Sequence, residues 1–148
     1  MMGAGVSIKC KRLRAQARLP QYMTPGAAGA DLYAALVEPV RIAAGDRAVI
    51  PTGLAVEIPE GYEGQVRPRS GLAIRDGLTI LNAPGTIDSD YRGEINVIVV
   101  NLGQKECWVR TGERIAQLVI APVAHAELLW AERLGETGRG AGGFGHTG

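Results

Sequence analysis

Apolar and polar residues alternate in short bursts along this chain, and glycine or proline closes most bursts. Val6, Ile8 and Cys10 alternate with Ser7, Lys9 and Lys11. That period of two predicts a half-buried strand over 6–11. Further short strands are predicted at 47–50, 54–58, 62–66, 78–81, 95–100, 107–109 and 115–120, rich in β-branched residues between turn formers. The run 95–100 (INVIVV) reads as a buried strand. A helical turn is predicted over 70–75, with Ser70 as its cap. Residues 127–134 suit a strand or a helix, and a terminal strand is the reading taken here. No internal repeat is present. Strands at this spacing predict an all-β sandwich, jelly roll or barrel.

Composition narrows the setting. The chain has 148 residues, the size of one domain, and such a chain buries roughly two-thirds of its unfolded surface without disulfide or metal. Lys+Arg number 16 and Asp+Glu 15, so no global field draws the protein to nucleic acid or to an anionic membrane. Cys10 and Cys107 stand in no metal or redox spacing. They read as reduced, packed cysteines of a cytoplasmic protein, with a pairing left open. No apolar run reaches transmembrane length. The start, 1–5 (MMGAG), lacks the charged and apolar regions of a secretion signal. His125 and His146 are the only histidines, which excludes a histidine-rich metal site.

Two segments carry candidate chemistry. Residues 82–94 (NAPGTIDSDYRGE) form a hairpin-like run ahead of the buried strand, with Asp88, Asp90 and Tyr91 on a tight turn. A loop carboxylate braced by a strand can act as a general base toward water. Asp88, Ser89 and Asp90 equally suit plain turn hydrogen bonds. Residues 135–148 are rich in glycine, with Arg139 and the chain's one phenylalanine, Phe144. So apolar-poor a segment is expected to be mobile when alone. The same residues suit an arm: Phe144 can lie over a flat ring, and Arg139 and exposed amides can hold an anion. Two parts follow, a β domain over 1–134 and an arm over 135–148.

Five stretches occur in order: 25–34 (PGAAGADLYA), 68–73 (PRSGLA), 82–94, 112–118 (GERIAQL) and 139–148 (RGAGGFGHTG). Together, from Pro25 to the last residue, they resemble the five motifs of the trimeric deoxyuridine triphosphatases. The resemblance implies a β jelly roll, a homotrimer with three active sites at the subunit junctions, and hydrolysis of dUTP to dUMP and pyrophosphate with Mg2+ on the triphosphate. Such an activity limits uracil incorporation into DNA and supplies dUMP for thymidylate synthesis. By matching positions, the resemblance makes Asp88 the base that activates water. Tyr91 then lies against the deoxyribose, and Asn82 with the neighbouring backbone reads the uracil edge. Arg69, Ser70, Gly71 and Gln117 fall at the phosphates, and Asp31 in the network of metal-bound waters. In the arm, Arg139 meets the terminal phosphates, Phe144 stacks on uracil, and Gly145 and Thr147 join the substrate-binding set.

The chemistry of these residue types agrees with the implied roles. Water attacking phosphorus needs a base, and the departing pyrophosphate gains charge that amides, a hydroxyl and guanidinium groups stabilise. Magnesium keeps several waters and leans on substrate phosphates, so no compact metal motif is expected. A narrow pocket rejects thymine by its methyl and cytosine by its hydrogen-bond pattern. Each residue also has a structural reading. Ser70 can be a cap, Asp31 can brace a turn, Gln117 can pair with a neighbouring backbone, Tyr91 can be packing, and Arg69 can be a solvated charge. Two departures from the family pattern stand out: His146 where a serine is common, and Arg67 as an extra cation beside Arg69. The rivals are the related dCTP deaminases, which share the fold, and a non-catalytic jelly-roll module. The Asp88/Tyr91 pair with the Gly-Phe-Gly arm favours the hydrolase.

Overall fold

Among the described residues the apolar bursts become eleven strands and one helix. They run β1 Lys9–Arg12, β2 Ala30–Tyr33, β3 Val40–Ile42, β4 Arg47–Pro51, β5 Leu54–Glu57, β6 Tyr62–Arg67, α1 Ser70–Asp76, β7 Leu78–Ile80, β8 Gly85–Ile87, β9 Asn96–Asn101, β10 Cys107–Val109 and β11 Arg114–Pro122. The structure is a computed structural model and describes residues 5–148. Residues 1–4, the greater part of the start read for a secretion signal, lie outside the described residues.

Every strand pairing is antiparallel. One sheet has the order β2-β11-β6-β8 and a second the order β4-β9-β7; β1 pairs β5, and β10 pairs β3. The non-sequential orders mean that the chain crosses repeatedly between sheets, as a jelly roll does. The core lies between them. Leu32, Ile42, Ile50, Ile58, Val97 and Val109 are fully buried there. β9 shows why its sequence is apolar on both sides. Its Val97, Val99 and Val100 are buried, and it is the central strand between β4 and β7. The buried polar groups are answered. Asn101 donates to the carbonyls of Ile42 and Lys105 and accepts from the Gly103 amide, and the Thr52 hydroxyl donates to the Ile95 carbonyl.

The structure departs from the sequence reading in four places. The run 82–94 is not a β-hairpin, because β8 pairs β6 while β9 pairs β4 and β7. The turn therefore joins two sheets. Residues 127–134 form neither strand nor helix, and their large apolar side chains are open: Leu128 is 92%, Leu129 75%, Trp130 104% and Leu134 88% exposed. An apolar segment that packs on no neighbouring element settles into neither strand nor helix. Ser70 is not the cap of α1. Arg69 holds the cap position in extended geometry without a side-chain cap hydrogen bond, and Ser70 is the first helical residue. Finally, β2, β3 and β8 are absent from the sequence reading. Each has three or four residues and is defined by its pairing with a neighbouring strand rather than by an apolar burst of its own.

Candidate active site

Two of the expected groups are assembled in different places on the chain. The first surrounds the turn after β8. The Tyr91 amide donates to the Asp88 carbonyl at 3.1 Å, closing the turn, and Arg92 donates to the Ser89 carbonyl at 2.6 Å. The Tyr91 hydroxyl donates to the Glu94 carbonyl at 2.8 Å, which folds the ring back over Gly93. A Cβ on Gly93 would meet that hydroxyl at 2.5 Å, so only glycine leaves room for the ring there. Glu94 anchors the far end of the turn. Its carboxylate takes Arg14 at 2.7 and 3.1 Å and the Gly53 amide at 2.9 Å. The Arg14 bond holds the Glu94 carboxyl below the usual glutamate value.

Asn82, Asp88 and Tyr91 line one cleft of about 200 Å³, floored by Val66, Ile87, Val97 and Ile98. Asp88 and Tyr91 are both exposed at its mouth. A flat heterocycle fits such a slot, apolar below and polar at the rim. Asp88 also lines a wider cleft of about 850 Å³, with Tyr62, Arg92 and His125.

The second group surrounds the start of α1. Asp31, on β2, is 7% exposed. Its two oxygens face Arg69 at 3.5 Å and Arg114 at 3.2 Å. Of the two alternatives the sequence left for Asp31, the turn brace is not what the structure shows: Asp31 is a buried strand carboxylate, paired with two cations as burial demands. Gln117, on β11, donates to the Pro68 carbonyl at 2.9 Å. Its amide presses on Gly29, where any Cβ would collide. Gln117 thus makes the backbone contact that the structural reading foresaw. Arg69, with a quarter of its side chain exposed, is no free surface charge; it also donates to the Arg114 carbonyl at 3.1 Å. The amides of Ser70 and Gly71 open the helix, where first-turn donors lack intrahelical partners. Arg114 is the residue that sequence reasoning missed, although it lies inside the fourth motif stretch. Among the described residues the Arg67 side chain bonds Gln65.

The tail stands apart. Arg139 donates to the Gly142 carbonyl at 2.7 Å, the Gly140 amide donates to the Thr137 hydroxyl at 3.0 Å, and the backbone hydrogen bonds of 139–148 stay within the segment. Phe144 has φ 52° and is fully open at 114% exposure. Thr147 and Gly145 lie in the same turns. None of Arg139, Phe144, Gly145 and Thr147 lines the Asn82–Tyr91 cleft of its own chain. Among the described residues no cluster of three His, Cys, Asp or Glu could cage a metal.

The sequence matches a family profile described as dUTPase over residues 15–148. The chain belongs to the dUTPase family. It is 57% identical over 143 residues to the deoxyuridine 5′-triphosphate nucleotidohydrolase of Syntrophotalea carbinolica, covering 97% of each. It is 58% identical over 146 residues to the enzyme of that name from Anaeromyxobacter sp., covering 97% of this chain and 98% of that one. Among solved structures, a variant dUTPase of Staphylococcus bacteriophage 80alpha with dUpNHpp superposes at a TM-score of 0.88, with 30% identity over 96% of this chain and 98% of that one. A dUTPase of phage phi11, described with a structural Mg(II) ion, superposes at 0.80 with 28% identity, over 88% of this chain and 99% of that one. The dUTPase fold and motif order are therefore those of this chain.

Proposed function

We propose that this protein hydrolyses dUTP to dUMP and pyrophosphate, by attack of water on the α-phosphorus. The observation that carries the reading is the Asn82–Asp88–Tyr91 cleft, in a chain 57–60% identical to named dUTP nucleotidohydrolases. Asp88 is the general base: its carboxylate stands open at the mouth of the cleft, where water reaches it. Tyr91 is fixed by its hydroxyl bond and by Gly93, so its ring forms a rigid wall for the sugar. A wall of that kind excludes a 2′-hydroxyl by contact. Asn82 offers both a donor and an acceptor to a uracil edge. Arg69, the Ser70 hydroxyl and the open amides of Ser70 and Gly71 receive the charge of the leaving pyrophosphate, with Gln117 fixing the Pro68 carbonyl behind them.

Magnesium fits these residues only on the substrate's side. Both Asp31 oxygens are engaged by arginine, yet each keeps a lone pair for a metal-bound water. Asp31 is thus the residue that would steady Mg2+ indirectly, and the ion supplies neutralisation of phosphate charge.

The site is shared between copies in a homotrimer. The exposed Leu128, Leu129, Trp130 and Leu134 support this, since a chain that leaves so much apolar surface open completes it on a second copy. Residues 135–148 form the arm. Arg139 with Gly145 and Thr147 takes the terminal phosphates and Phe144 covers the base, on a site other than the chain's own. A cytoplasmic setting suits the free cysteines Cys10 and Cys107, and no helix of the described residues is long and apolar enough to cross a membrane. Neither nucleic acid nor membrane is a partner in this reading. Hydrolysis in ¹⁸O-water with Mg2+ is the test. The label is expected in dUMP; label in pyrophosphate would overturn the mechanism, and no pyrophosphate at all would overturn the activity.

A further inference from the structure

Strand β11 carries an irregularity with a consequence for the phosphate side of the site. Arg114 pairs opposite Tyr33, and Ala116 pairs opposite Leu32, so one extra residue is inserted between them. Ile115 and Ala116 are consequently both buried, at 4% and 0%. In an unbroken strand, residues three apart point to opposite faces. The bulge cancels that alternation, and Arg114 and Gln117 act on the same side. Gln117 grips the Pro68 carbonyl, one residue before Arg69. Arg114 grips Asp31, whose other oxygen faces Arg69, and Arg69 bonds the Arg114 carbonyl in return. The three residues close a ring.

The charges of this ring do not cancel. Two guanidinium groups share one largely buried carboxylate, leaving a net charge of one positive unit. Asp31 divides its single charge between Arg69 and Arg114, so it neutralises Arg69 only in part while Arg114 takes its second oxygen. A planar guanidinium readily takes both oxygens of a carboxylate when it is free to do so. Removing Arg114 would therefore let Asp31 turn fully onto Arg69 and quench it.

We infer that Arg114 is a positioning residue: acting through Asp31, it keeps the Arg69 guanidinium oriented and electrostatically available to the phosphate chain of the nucleotide. This rests on the reading of Arg69 as a phosphate contact. Arg114 itself need touch no substrate atom, and the bulge is what brings it into reach.

The test compares ligands that differ in phosphate number. Binding of dUpNHpp with Mg2+ and of dUMP is measured by calorimetry for the unmodified protein, Arg114→Ala and Arg114→Lys. Arg114→Ala is expected to weaken dUpNHpp about 10- to 100-fold, the span of one lost charge-assisted hydrogen bond. It should weaken dUMP less than about twofold, because the uracil and sugar contacts are untouched. KM for dUTP should rise more than kcat falls. Arg114→Lys keeps the charge without the fork and should recover part of the loss. A merely structural role would weaken both ligands alike and lower the melting temperature in step, and that outcome overturns the inference. So does wild-type affinity for dUpNHpp in Arg114→Ala. Failure of the unmodified protein to bind dUpNHpp is a different result, and it would bring down the dUTPase reading itself.

Discussion

A single carboxylate and a single ring meet the substrate at the proposed reacting centre, and neither owes its position to its own strand. Asp88 is held by the turn that the Tyr91 amide closes, and Tyr91 by its bond to the Glu94 carbonyl. Asp88→Asn keeps the shape and removes the proton acceptor. Turnover is expected to fall by about 10²- to 10⁴-fold, with dUpNHpp affinity largely kept. Steady-state kinetics beside calorimetry separates the two, and near-normal turnover would reduce Asp88 to a turn residue. Asp88, Tyr91 and Asn82 were legible in the sequence because the run 82–94 holds them within ten positions. Arg114 was not legible. Its relation to Asp31 crosses 83 positions and depends on a bulge, which leaves no periodic trace.

At the scale of elements, the turn that carries Asp88 is anchored at its far end. Glu94 ties it to Arg14 on one side and to the Gly53 amide on the other. Its carboxyl lies below the ordinary value chiefly because Arg14 hydrogen-bonds the charged form. A group whose pKa is depressed by folding stabilises the fold above its unfolded pKa, roughly 4.3 for glutamate, and loses that contribution as pH falls through the folded value. Glu94→Gln should therefore lower the melting temperature near pH 7. The gap from wild type should close below about pH 4. Melting curves across that range decide it, and a gap unchanged at low pH would assign the effect to packing. The long strands β9 and β11 were legible through their apolar bursts, and β6 through the glycine and proline that bound it. The short β2 and β3 were not, because tertiary pairing defines them more than any pattern of their own. Residues 127–134 misled for a different reason: their apolar side chains pack on no other element of the described residues, and neither a strand nor a helix forms without such packing.

For the whole molecule, the proposal is that no chain completes its own site. Two inactive variants should then rescue each other. One carries Asp88→Asn with an intact arm; the other keeps Asp88 and lacks residues 139–148. Co-refolded, they should regain part of the activity, since some junctions pair a sound base with a sound arm. Inactivity in mixtures shown to contain hybrid trimers would confine base and arm to the same chain. The open apolar segment before the arm has an optical consequence as well. The chain has two tryptophans, and Trp130 is fully open while Trp108 is about half covered. If Trp130 is covered only by a second copy, its emission depends on mass action. Dilution alone should move the fluorescence to longer wavelength and return it on concentration, with the midpoint reporting the trimer's dissociation constant. A Trp130→Phe variant should lose that signal, leaving the steady emission of Trp108.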